Sequence, residues 1–443
     1  MSIVGRLYAR LGSGKIGILR PLGVPDFARL WLGAFVSMVG DGFYFVAIAW
    51  QVYNLSDSPA ALAAVGIAWS LPQVLFLLVT GALTDRVDRR HMMISGDLLR
   101  LAAMATVGAL SLTGQITMTW LIALVFVFGI GQALFGPAFT AIVPSIVGGD
   151  LLVQANALGQ FIRPLAMMVL GPLLGGLLVY SLGAGWAFIA DALSFAWSAL
   201  MVLRMRSRRV ERDDEGRGSL WEDTREGLRF VRHHTWLLAG LLGGAVSLFC
   251  IWGPYDTLLP YVVKYDMHGS ALALGLVFGV GGLGAVAVAV TMGQRGVLPR
   301  RAMTVMYVAF ALAMLAIGAF GVVTRIWQTA VVSVLVEGAI TLVIVLWTTF
   351  QGLLVPDRLR GRVASIDSLI FTTGAPLSFA AVGPLAGVIG ADATLIWTGV
   401  LGAVVIIFCA FIPGARAPER DGSLVGRALM APPLDREFKP PTY

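Results

Sequence analysis

The chain has 443 residues, of which 58% are hydrophobic and 13% charged, with a mean hydropathy of +0.83. Soluble domains carry roughly 25% charged residues, so the composition excludes an ordinary globular protein and places the chain in a lipid bilayer. The formal charge of +7 would suit a nucleic-acid partner in a soluble protein, but here it sits in loops between apolar runs, and no nucleic acid is expected.

A spanning helix needs about 20 predominantly apolar residues. Twelve such stretches follow one another at 29–53, 60–84, 92–113, 117–140, 153–182, 185–204, 236–265, 269–293, 301–321, 326–350, 362–391 and 392–413. The expectation is an all-α membrane protein of twelve transmembrane helices. Residues 1–28 are basic and lack a uniform apolar core before a cleavage site, so they read as a cytoplasmic segment ahead of a retained first helix. Residues 205–235, the longest charged loop between spans, separate two six-helix bundles at 29–204 and 236–413. Within that loop Trp221, Leu228 and Val231 recur at helical spacing, which suits a helix on the membrane surface and equally a solvated linker helix. The tail from 414 to 443 is Pro-rich and expected to be disordered.

Of 32 Lys and Arg residues, 28 fall in the N-terminal segment, the loops after spans 2, 6, 8 and 10, or the tail, counting Arg29, Arg204, Arg301 and Arg362 at the span ends that border them. By the positive-inside bias both termini are cytoplasmic. Sliding the chain against itself by 212 residues aligns the two halves without a gap. Val143-Pro144 meets Val355-Pro356, Gly171, Pro172, Leu173 and Gly175 meet Gly383, Pro384, Leu385 and Gly387, and Gly81 and Arg89 meet Gly293 and Arg301. A parallel repeat of this kind lets two pseudo-symmetric bundles rock about a central site.

Between spans 2 and 3 stands GALTDRVDRR, with five charges among apolar runs. Gly81 permits close helix approach, Asp85 suits a helix N-terminus or an arginine, and Arg86, Arg89 and Arg90 suit the anionic inner surface. With Gly81, Leu83, Asp85, Arg86, Arg89 and Arg90 in place, the stretch resembles the G-x-L-x-D-R-x-G-R-R motif of the major facilitator superfamily, with Asp88 at its second glycine. GQRGVLPRR after span 8 is a weaker copy. Gly171, Pro172, Gly175 and Gly176 in GPLLGG look like the core of the antiporter motif of helix 5, although Met167 occupies one expected glycine position. Together with GQFIRPLAMMVLGPLLGG and LVPDRLRGRVAS, these features are similar to the drug-proton antiporter branch of macrolide-efflux and enterobactin exporters. The resemblance implies the major facilitator fold, a cytoplasmic gating role for the first motif, and proton-coupled efflux.

An ionisable residue at mid-membrane costs several kcal/mol and is a functional candidate by default. Asp41 lies about 12 residues, roughly 18 Å, into span 1. Ser37, Asp41, Tyr44 and Gln51 give that helix one polar face, which lines either a cavity or another helix. Span 10 repeats the pattern with Ser333, Glu337, Thr341 and Thr348, and Asp41 and Glu337 are the proton-coupling candidates. Span 5 carries Asn156, Gln160 and Arg163 on one face, and Pro164 can kink it. Asp256 aligns with Tyr44 under the repeat. Asp97 and Arg100, three apart on span 3, can pair with each other. Many antiporters of the resembled family carry an arginine on helix 4, whereas residues 117–140 hold no charge, so Arg100 or Arg163 would have to substitute.

Four histidines show no metal-ligand spacing, and there is no P-loop or H-E-x-x-H. No enzyme activity, metal or cofactor is expected. The energy source is the proton gradient, and the expected partners are protons, the lipid bilayer and an amphipathic small molecule such as a drug, macrolide or siderophore. The chain is expected to act as a monomer in the inner (plasma) membrane. Two alternatives stay open: a non-transporting scaffold or receptor, and a transporter of lipid or an imported metabolite.

Overall fold

The computed structural model describes residues 17–84, 87–206, 220–422 and 424. Twelve helices among the described residues are long and apolar enough to cross a bilayer. They are α1 (Pro25–Leu55), α2 (Pro59–Thr84), α3 (Arg89–Leu112), α4 (Met118–Ile146), α5 (Gly149–Arg163, Pro164–Leu170 and Gly171–Leu182), α6 (Ala184–Leu203), α7 (Thr235–Asp266), α8 (Ala271–Arg295), α9 (Ala302–Ala319), α10 (Ile326–Leu354), α11 (Asp357–Ile389) and α12 (Ala391–Phe411). Each matches one apolar run of the sequence, because a bilayer leaves no water for unpaired backbone groups and the helix satisfies them internally.

Local chemistry sets several boundaries. Pro25 and Pro59 open α1 and α2, where a missing N–H has no consequence. The Asp88 side chain accepts from the Arg90 amide at 2.9 Å and caps α3. Gly183 and Gly390, with φ of 93° and 87°, turn the chain sharply from α5 into α6 and from α11 into α12. α5 passes through a π-helical stretch at Pro164–Leu170, immediately after Arg163, and α7 through two, at Pro254–Leu258 and Val262–Asp266.

The 212-residue repeat is visible in the packing. α1 packs on α5 and α6, and α3 on α4 and α6. In the same way α7 packs on α11 and α12, and α9 on α10 and α12. By contacts the chain forms two compact units, one comprising the described part of Met1–Arg212 with Pro260–Gly282, the other the described part of Asp213–Leu259 with Leu283–Tyr443. The first unit therefore extends beyond residues 29–204 to take in the end of α7 and the first half of α8. Its packing accounts for this: a Cβ on Gly275 would stand 2.4 Å from the Pro172 carbonyl oxygen, and one on Gly282 2.4 Å from that of Met168. Only small residues on α8 allow this approach to α5.

In the second unit a linker helix (Leu220–His233) precedes α7, with Val231 buried and Leu228 exposed; the Trp221 side chain lies outside the described residues. Glu226 on this helix bridges Arg358, at 3.4 Å, and Arg362 at the start of α11. The segment after α12, expected to be disordered from residue 414, instead packs against α9 as far as it is described. Ala417–Arg420 forms a helical turn, Pro418 and Leu424 are buried, and Glu419 accepts from the Thr304 amide and hydroxyl, each at 2.8 Å.

Candidate functional site

At the α2–α3 junction, Asp85 and Arg86 lie outside the described residues; Gly81 belongs to α2, but its surroundings are likewise outside them. Arg89 reaches the Ala141 carbonyl of α4 at 3.0 Å. Arg90 donates from Nε to the Val202 carbonyl at 2.9 Å and from Nη2 to that of Leu203. The last carbonyls of a helix have no partner within it and carry the negative end of its dipole. Arg90 thus closes the C-terminus of α6, and Arg89 binds near that of α4, so the two arginines tie three helix ends together. In the second unit Glu419 caps the start of α9, as Asp88 caps α3.

The polar face of α1 turns into the first bundle. Ser37, Asp41, Tyr44 and Gln51 are all buried, so this face meets other helices rather than an open cavity. Tyr44 stacks on Phe128 of α4 with centroids 4.8 Å apart, and Gln51 accepts from the Ser111 hydroxyl of α3 at 2.7 Å. Beside Asp41 lies a set of charges that hydropathy alone does not reveal. Arg100 of α3 pairs with Asp97, donates to Gln132 of α4 at 2.9 Å, and lies 4.3 Å from the ring centroids of both Phe135 and Phe195. The sequence left Asp191 unassigned; it projects from α6 against α1, where a Cβ on Gly40 would stand 2.6 Å from its Oδ1. Asp41 is within electrostatic reach of Arg100, Asp97 and Arg163. Arg163 is exposed, whereas Arg100 is 1% exposed. Of the two expected substitutes for a helix 4 arginine, Arg100 is the one that reaches α4. The Gln160 side chain lies outside the described residues.

Gly171 and Gly175 face α1, and Gly176 faces α8. A Cβ on Gly171 would meet Gly42 Cα at 2.6 Å, one on Gly175 would meet Phe43 Cα at 2.7 Å, and one on Gly176 would meet Gly275 Cα at 2.8 Å. Pro172 is buried, and its carbonyl oxygen lies against Gly275. The motif is therefore a two-sided contact that locks α5 to the backbone of α1, directly beside Asp41, and to that of α8.

In the second bundle the π-helical turn of α7 presents Tyr255 to α10. Its hydroxyl lies 3.0 Å from Glu337 Oε1 and 3.1 Å from Ser333 Oγ. Glu337 and Asp256 are half-buried and interact electrostatically. Tyr255 was missed in the sequence because its acidic neighbour drew attention, although a buried tyrosine beside a helix-breaking proline calls for a hydroxyl partner. Ser378 of α11 was missed too: it donates to the Phe249 carbonyl and accepts from the Gly253 amide at 2.7 Å, where the π-turn loosens the backbone ladder. Thr348, expected on the polar face of α10, is exposed and bonds to its own helix.

Where α1 ends, Lys264 and Tyr265 of α7 reach it within the first unit. Lys264 Nζ donates to the Tyr53 carbonyl at 2.5 Å and to Asn54 Oδ1 at 2.8 Å, and lies 5.0 Å from the Trp50 ring. The Tyr265 hydroxyl bonds the Tyr53 carbonyl at 2.9 Å and Asp57 at 2.5 Å. No set of three or more His, Cys, Asp or Glu residues able to hold a metal ion occurs among the described residues.

Repeated bundles of this shape are known from solved proteins. The nucleoside transporter NupG aligns over 87% of this chain and 98% of its own, with a TM-score of 0.70 at 11% identity. A bacterial homologue of the iron transporter ferroportin gives a TM-score of 0.65 at 17% identity over 87% of this chain and 98% of its own. The architecture is that of a membrane transporter with the major facilitator fold. Residues 16–441 match the family model described as transmembrane secretion effector, and the chain belongs to that family. Among curated relatives, the multidrug efflux pump Tap of Mycolicibacterium fortuitum is 28% identical over 89% of this chain and 96% of its own length. Macrolide efflux protein A of Streptococcus pyogenes is 25% identical over 56% of this chain, which spans only 62% of that relative. The enterobactin exporter EntS of Citrobacter koseri is 25% identical over 82% and 85% of the two chains.

Proposed function

We propose that the chain is a proton-driven exporter of an amphipathic organic compound, working by alternating access as a monomer in the plasma membrane with both termini cytoplasmic. The observation that carries the reading is a carboxylate near the middle of a spanning helix in each bundle: Asp41, buried on α1 within electrostatic reach of Arg100, and Glu337 on α10 beside Tyr255 and Ser333. Such groups are costly in a bilayer and mark ion pathways. The relatives, a macrolide efflux protein, a multidrug efflux pump and an enterobactin exporter, support outward movement of a bulky substrate.

Proton transfer has a structural consequence at Glu337. Ionised, its Oε1 accepts from the Tyr255 hydroxyl; protonated, the carboxyl gains a donor and the hydroxyl turns toward Ser333. Tyr255 lies in the π-helical turn Pro254–Leu258, a backbone irregularity of the sort that accompanies functional movement, so the proton state is read by the shape of α7. Each inward charge contributes about 2.3 kcal/mol per 100 mV of membrane potential. In proteoliposomes, a fluorescent macrolide or cationic dye is expected to move only when a pH gradient is imposed. Movement indifferent to the gradient excludes proton coupling, and unchanged coupling in Asp41→Asn with Glu337→Gln excludes these residues as its carriers.

A further inference from the structure

The first bundle holds more buried negative charge than its buried cation balances. Asp41, Asp97 and Asp191 are 8%, 0% and 0% exposed, and among the described residues Arg100 at 1% is the one cation buried with them. Four elements contribute: α1 brings Asp41 and Tyr44, α3 brings Asp97 and Arg100, α4 brings Gln132, and α6 brings Asp191, Ser194 and Ser198. Arg163 of α5 reaches Asp41 only electrostatically and from an exposed position. Arg100 is committed, since one end pairs with Asp97, the other holds Gln132, and two phenyl rings flank the plane. Yet polar atoms facing the set lack close partners: Asp191 Oδ2 and Arg100 Nε are buried without a hydrogen bond, and Asp97 has, beyond Arg100, only the Ser198 hydroxyl interacting with it. Buried native polar groups are nearly always paired, so an unsatisfied oxygen on Asp191, beside two further buried acids, marks a place where something positive binds.

We propose that Asp41, Asp97, Arg100 and Asp191 form one proton-binding site of the first bundle, in which Asp191 and Asp97 share protons with Asp41 and the fixed Arg100 guanidinium sets how many are held. A single guanidinium compensates one carboxylate, and isolated buried carboxylates neutralise by taking a proton rather than remain charged in a low-dielectric interior. The unpartnered Oδ2 of Asp191 is where an added O–H stands, and a proton on Asp97 has the Ser198 hydroxyl as its acceptor. Residues 117–140 hold no charge, and Arg100 brings a guanidinium to α4 from α3 through Gln132. This site deepens the proton-coupling reading and rests on it for its role in transport, while its proton occupancy is an equilibrium property of the resting protein.

The test is infrared titration of protonated carboxyl groups in the full-length protein in lipid, without substrate. The wild type is expected to show a protonated-carboxyl band that Asp191→Asn and Asp97→Asn each diminish. Either substitution removes a like charge, so the remaining transition moves to lower pH. Arg100→Gln removes the cation and moves it to higher pH. Shifts of about one pH unit, a tenfold change in proton affinity, are expected in both directions. Opposite signs distinguish electrostatic coupling from a structural role, which predicts no such relation. A band indifferent to both Asp variants, or shifts of one sign in all three, overturns the proposal. A transition that moves with sodium at constant pH assigns the site to a metal cation and overturns it equally. Should one variant fail to fold, Asp41→Asn reads the same coupling from α1. Transport that ignores a pH gradient sinks the proposed function while leaving this site measurable, and an absent band sinks this site whatever drives transport.

Discussion

Arg90 spends its guanidinium on two carbonyls of α6, and a single-point donor cannot reproduce that fork. Arg90→Ala removes the side-chain donors to both carbonyls, leaving Val202 with its backbone partner Met205, and is expected to destabilise the protein by about 1–2 kcal/mol, with Arg90→Lys recovering less than half. Thermal unfolding in detergent measures this, and a loss confined to membrane orientation with no change in stability contradicts it. His234 offers a second check, this one on pH. It sits outside the spans at the entry to α7, stacked on Phe230 with its Nδ1 2.8 Å from the Phe230 carbonyl, and burial lowers its pKa below the usual 6.5. Because the unfolded chain then takes the proton first, stability is fully present above about pH 6.5 and is lost as pH falls toward the folded-state value. Protection factors at residues 230–238, with the intrinsic pH dependence of amide exchange divided out, are expected to fall on acidification in the wild type and much less in His234→Gln. Residue types at these positions were legible, but their partners were not. The motif arginines read as membrane-surface anchors because nothing in their spacing says that carbonyls of α4 and α6, roughly 50 and 110 positions away, lie within reach.

Among the helices, the contact of α5 with α1 has the least tolerance. Gly42 and Gly171 meet backbone to backbone, so an added methyl has no flexible neighbour to displace. Gly171→Ala is expected to cost about 1–3 kcal/mol through forced separation of the helices. Gly136→Ala, where a Cβ meets nothing within 4 Å, is expected to be neutral or stabilising. Thermal unfolding of the two variants side by side checks the contrast, and equal effects refute the packing role of the motif. Span positions were readable from hydropathy because bilayer thickness dictates both length and composition. Helix irregularities were less so. Pro164 and Pro254 open π-helical stretches, yet Pro376 and Pro384 lie inside α11 without one. Whether proline breaks a spanning helix depends on what neighbours offer the freed carbonyls, and that information is tertiary. The rotation of α1 was half legible: its polar stripe was clear, but whether it faced water or other helices required Phe128, Ser111 and Asp191 to be in place.

At the scale of the whole molecule, the two halves repeat one set of helix pairings but differ in chemistry. The first bundle concentrates three carboxylates about one arginine. The second sets one carboxylate, Glu337, against a tyrosine and a serine, with Asp256 nearby. The repeat was legible as an ungapped offset, whereas this difference was not, because Asp97 and Arg100 read as a pair within one helix and Asp191 stood unassigned on another. If each bundle carries protons independently, their contributions to the driving force multiply. For an uncharged substrate exchanged against n protons, the limiting accumulation ratio grows tenfold per proton for about each unit of pH gradient, since one unit is about 1.36 kcal/mol. With one proton handled by each bundle, a one-unit gradient and the membrane potential clamped to zero, the wild type is expected to reach about a hundredfold ratio. Asp41→Asn and Glu337→Gln are each expected to reach about tenfold, and the double variant about unity. These ratios are plateau values in proteoliposomes, so slowed turnover lengthens the approach without lowering the limit. A wild-type plateau near tenfold that survives Asp41→Asn unchanged but vanishes with Glu337→Gln would place all coupling in the second bundle and leave the first as a fixed electrostatic support.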